Sequence, residues 1–113
     1  MASPPDLVAQ FTAVTDRLIA DAPDASRRKM FGYAACFAGG HLVTSLHEDR
    51  WIVRLPEADI TELATLGGMP FEPMAGRPMR GFMALPDAVR SDPAQLDEWL
   101  ARALAHVRTM PPR

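Results

Sequence analysis

Two turn signals, Gly39-Gly40 and Glu48-Asp49, bracket the run His41 to His47, in which Leu42, Thr44 and Leu46 alternate with His41, Val43, Ser45 and His47. A Gly-Gly pair supplies the positive φ angles of a tight hairpin, and period-two alternation is the mark of a strand with two different faces. Alternation continues on both sides. Before the first turn Phe31, Tyr33, Ala35 and Phe37 alternate with Met30, Gly32, Ala34 and Cys36, and after the second turn comes Arg50-Trp51-Ile52-Val53-Arg54-Leu55. The middle of the chain is therefore expected to form an antiparallel meander of three strands, the first running from Lys29 to Phe37.

Two-residue loops fix a register. They pair Phe37 with Leu42, Ala35 with Thr44, Leu46 with Trp51, Thr44 with Val53 and Leu42 with Leu55. One face is then rich in bulky apolar groups. The other gathers Cys36, His41, Val43, Ser45, His47, Arg50, Ile52 and Arg54, the pattern of a sheet covered on one side only.

Helical periodicity supplies the cover. Ser3, Pro4 and Asp6 open a first helix whose stripe is Leu7, Val8, Phe11, Val14, Leu18 and Ile19, and Pro23 closes it. Pro56 to Leu66 is a short amphipathic helix ended by Gly67-Gly68. Pro70 to Leu85, broken by Pro73, Gly76 and Pro78, reads as an edge strand around Phe71, a turn at Ala75-Gly76-Arg77 and a strand from Met79 to Leu85. Asp92-Pro93 starts a last helix that buries Leu96, Trp99, Leu100, Ala103, Leu104 and Val107. With 113 residues, 48% of them apolar, the chain closes one core, and residues 1–113 are taken as a single domain with an ordered core at about 4–109. The expected fold class is α+β, two layers in the order α-β-β-β-α-β-β-α, with an antiparallel sheet covered by helices on one face.

The ordered series Lys29-Met30-Phe31-Gly32, Pro70-Phe71, Leu85-Pro86 and Asp92-Pro93 before the tryptophan-bearing helix resembles the TfoX amino-terminal domain family, from roughly Ser26 to Val107. That resemblance implies a secretion-chaperone-like two-layer architecture, a bacterial cytoplasmic setting and no catalytic residues. Family members named as regulators of DNA competence carry a second, carboxy-terminal domain that this chain has no room for. The sequence departs from the family's usual pattern at Tyr33-Ala34, where the strand more often continues with a glycine.

Composition narrows function further. A net charge of -2 does not favour nucleic acid or acidic lipid as a partner, and a start without a basic and apolar leader points to the cytoplasm. The uncharged run from Met30 to His47 is interrupted by Gly39-Gly40-His41 and reads as strands, not a membrane span. The single cysteine, Cys36, excludes an intrachain disulfide; placed diagonally from His41 it raises a cysteine-dependent enzyme as a remote alternative, with no acid to orient the imidazole. His41 and His47 are separated by roughly 20 Å of extended chain at ~3.3 Å per residue, so no metal is expected, nor any other cofactor. Arg27-Arg28-Lys29, with Arg50, Arg54, Arg77 and Arg80, offers a second alternative, weak nucleic-acid binding through an arginine-bearing sheet face. Met69, Met74, Met79 and Met83 suit either an adaptable surface or core filling. The favoured expectation is a non-catalytic protein-interaction or regulatory domain, binding a partner or forming a homodimer. Its surface would be His41, Val43, His47, Arg50, Ile52, Arg54 and Phe82, an apolar centre with a polar rim.

Overall fold

The computed structural model describes residues 3–74 and 76–112. In chain order the elements are α1 (Pro5–Ile19), β1 (Ala25–Met30), β2 (Tyr33–Ala38), β3 (His41–His47), β4 (Arg50–Arg54), α2 (Glu57–Thr65), β5 (Met69–Pro70), β6 (Phe82–Ala84), α3 (Asp87–Arg90) and α4 (Pro93–Val107). The strands form one antiparallel sheet in the order β1-β2-β3-β4-β6-β5. Side chains of all four helices pack on one face, where Phe11, Leu46, Trp51, Val53, Leu63, Val89, Trp99 and Leu100 belong to the main core. The two-layer α+β class is as expected; the element order gains a strand and the short helix α3.

The extra strand arises at Phe31-Gly32. Both residues have positive φ, 55° and 82°, which is the hand of a two-residue hairpin turn, so the expected strand from Lys29 to Phe37 is two strands, β1 and β2. Gly32 accepts that conformation freely, whereas Phe31 adopts it against the steric preference of an L side chain.

A second correction concerns register. Phe37 pairs with Leu42 as expected, but Cys36 pairs with Thr44 and Ala35 with Ser45, because β3 carries one extra residue opposite the Cys36/Phe37 step. Such a bulge changes which face each side chain meets. Beyond it Thr44 pairs with Val53 and Leu46 with Trp51, as expected. Leu46, Trp51, Val53 and Leu55 thus face the helices as predicted, while β2 is turned over: Cys36 joins the main core, and Ala35 and Phe37 lie on the other side. Val43 moves into the main core and Leu42 leaves it.

Caps follow the sequence at one helix and depart from it at another. Asp92 accepts hydrogen bonds from the Gln95 side-chain amide and from the backbone N–H groups of Gln95 and Ala94, and these bonds, the side-chain one foremost, hold its carboxyl below its usual range. Pro4, not Ser3, occupies the α1 cap position and contributes no side-chain bond. In the Pro70–Leu85 stretch, β5 is confined to Met69–Pro70 and β6 to Phe82–Ala84, and Met79 N–H donates to the Phe71 carbonyl at 2.8 Å. Met74 bridges Arg77 around Gly76, so a turn lies there as expected; Ala75 is outside the described residues.

Candidate functional site

Residues that pair across an antiparallel ladder share a face. The face away from the helices therefore carries Arg28 and Met30 from β1, Tyr33 and Phe37 from β2, His47 from β3, Arg50 and Arg54 from β4, and Phe82 from β6. Beneath these lies a second, smaller core of Ala35, Leu42, Ile52, Phe71 and Phe82, with Met30, Phe37, Met79 and Ala84 packed against it. Phe71 is brought over the sheet by the chain leaving β5. The face expected to be open is thus partly roofed.

Its polar groups are arranged around aromatic rings. Guanidinium carbons lie over Phe37 (Arg28, 5.2 Å), Phe71 (Arg50, 5.3 Å) and Phe82 (Arg54, 4.5 Å). The His47 ring sits between Tyr33 and Phe71, at centroid distances of 5.0 and 5.2 Å. Arg50 Nη2 is 2.8 Å from His47 Nδ1 and 3.5 Å from Glu48 Oε1. Because a guanidinium only donates, Nδ1 is the acceptor in that contact.

Between the β1–β2 hairpin tip and the chain after Phe71 lies a groove of about 110 Å³, lined chiefly by Met30, Phe31, Tyr33, His47, Phe71 and Met79. Phe31 stands at its rim with 87% of its surface exposed. It is the most exposed large apolar side chain among the described residues, and it also holds a positive φ.

Of the seven surface residues expected from the sequence, His47, Arg50, Ile52, Arg54 and Phe82 are brought to one face. Ile52 is fully buried and Phe82 nearly so, and they form its floor. His41 and Val43 are not there: the bulge puts Val43 in the main core, and the His41 ring meets the Pro111 carbonyl at 2.7 Å. The sequence reading misses Phe31, Tyr33 and Phe71 and places Arg28 only in the nucleic-acid alternative; all four depend on a turn at Phe31-Gly32 or on the path after β5. The Phe-Gly pair was the available signal.

The basic residues do not form one field. Arg27 turns to the helix side, where it pairs with Asp16 and donates to the Thr12 carbonyl. Arg80 lines a separate groove with Leu55, Ile60 and His106, and burial, with the nearby Arg54, pushes the His106 imidazole below its ordinary range. The methionines divide likewise: Met69 and Met74 are exposed, Met83 is in the main core and Met79 in the second. Among the described residues, no group of three or more His, Cys, Asp or Glu side chains is placed to hold a metal ion, and no helix is long and apolar enough to cross a membrane.

Cys36 is fully buried in the main core. Burial pushes its thiol up to about 11, an effect that Arg27 only partly offsets. Since the thiolate is the reacting form, alkylation of native protein at neutral pH should run at least about a hundredfold slower than that of a free thiol. A rate equal to the free thiol, followed by mass spectrometry, would show that the side chain reaches solvent and ionises normally.

Residues 17–107 match the family model of the TfoX N-terminal domain. No curated protein matches the chain.

Proposed function

We propose that this chain, which belongs to the TfoX N-terminal domain family, is a non-catalytic protein-binding domain whose recognition surface is the face of the sheet away from its helices. The observation that carries the reading is Phe31. A residue at φ 55° in a two-residue hairpin favours Gly, Asn or Asp, yet here a phenylalanine projects into solvent beside an apolar groove. Neither core packing nor turn chemistry accounts for it, and backbone strain of this kind points to a surface retained for contact. Around it stand tyrosine and stacked arginine, side chains enriched in protein interfaces, with the His47 ring between Tyr33 and Phe71. Any regulatory role would be exercised through such binding. Single-stranded nucleic acid is less well suited, because the arginines already occupy the ring faces on which bases would stack.

The test separates stability from recognition. Phe31→Asn should stabilise the fold by about 1 kcal/mol, because asparagine tolerates the left-handed region at lower cost. A photoreactive phenylalanine in place of Phe31 should give discrete protein adducts in native extract, whereas the same group at exposed Ala101 on α4 should not. Excess wild-type protein should abolish the adducts and excess Phe31→Asn protein should not. Identical adduct patterns from both positions, or equal competition by the variant, would overturn the reading.

A further inference from the structure

We infer that the β1 edge of the sheet accepts an extended, acidic segment of a partner protein as a seventh strand. This rests on the protein-binding reading and gives the partner its chemistry. The sheet has two edges. β5 consists of Met69 and Pro70, and a proline lacks the N–H that a ladder needs. β1 is six residues long and pairs with β2 along its whole length. With Met30 and Tyr33 closing a two-residue hairpin, ladder alternation turns the backbone groups of Ala25, Arg27 and Lys29 outward. Ala25 N–H is taken by the Ala22 carbonyl, but among the described residues no other segment bonds the backbone of Arg27 or Lys29.

Charge selects the occupant. Arg28 stacks on Phe37 and Lys29 is exposed, and among the described residues neither has an acidic partner. Antiparallel pairing of β1 with a second copy would lay one Arg27-Arg28-Lys29 run against another, and like charges opposite one another disfavour the pairing. An acidic strand inverts that sign. The same side chains therefore discourage self-association and admit an acidic partner. On the recognition face, the added residue opposite Arg28 would carry a carboxylate, and the one opposite Met30 an apolar group beside Phe31, at the rim of the groove.

The probe is a synthetic peptide as long as β1, with Glu at the position opposite Arg28, Phe at the position opposite Met30 and Glu and Val alternating elsewhere; its control has Lys for every Glu. Amide exchange read by NMR should slow at Arg27 and Lys29 when the Glu peptide is added, while Ala34, already inside the sheet, stays unchanged. The Lys peptide should bind at least about tenfold more weakly, and the double substitution Arg28→Glu with Lys29→Glu should reverse the preference. Unchanged exchange at Arg27 and Lys29, or equal binding of the two peptides, would overturn strand addition. If adducts at position 31 persist in that case, the recognition face stands and only the strand mode falls; loss of both removes both.

Discussion

Replacing Trp51 with alanine should destabilise the protein by about 3–5 kcal/mol, the range for truncating a large buried aromatic side chain. Trp51 is fully buried at the centre of the fold, on β4 between β3 and β6. Its ring meets Phe11 of α1 at a centroid distance of 5.2 Å and an interplanar angle of 49°, so it joins the first helix to the sheet. Its Nε1 donates to Thr44 Oγ1 at 2.9 Å, which spares the indole an unpaired polar group. Alanine removes the packing and leaves a cavity that β4, held on both sides, cannot close. Against a total stability of roughly 5–15 kcal/mol, that loss is a large share. Urea unfolding followed by circular dichroism should show a much lower midpoint with little change in slope. A loss below about 1 kcal/mol would mean that the face bearing Trp51, Leu46 and Val53 is not the one under the helices.

That face was legible in the sequence because turn chemistry and alternation agree there. Glu48-Asp49 is flanked by matched strands, and from Thr44 to Val53 the ladder runs without interruption. β2 was not legible for the same reason in reverse. One extra residue in β3 exchanges the two faces, and no side chain between Leu42 and Thr44 announces it, since a bulge is fixed by pairing across strands. The Phe31-Gly32 turn was hidden by its residue type: phenylalanine is read as a strand former, and its alternation with Tyr33 and Phe37 continues smoothly through the reversal. Consequently five of the expected surface residues meet on one face, while its most exposed apolar member, Phe31, is read from alternation as part of a strand. Long periodic helices such as α4 were readable, whereas α3 is four residues long and carries too little periodicity to register.

Thr44→Val should cost about 1–3 kcal/mol although it nearly conserves shape. Pairing with Val53 sets this side chain on the helix side, where it is fully buried, and the bulge brings its sequence neighbour Val43 there as well. Its hydroxyl donates to the Ile52 carbonyl at 2.6 Å and accepts from Trp51 Nε1. Valine removes both bonds and strands a buried indole N–H, whereas the Ile52 carbonyl retains its place in the β-ladder. The size of that orphan penalty is separable by a double-mutant cycle. In a Trp51→Phe background there is no indole N–H to strand, so the added cost of Thr44→Val should fall by about 1 kcal/mol or more. Strict additivity, measured by urea unfolding of the four proteins, would detach the Thr44 hydroxyl from Trp51. It would also remove the reason for placing Thr44 on the helix side of the bulge.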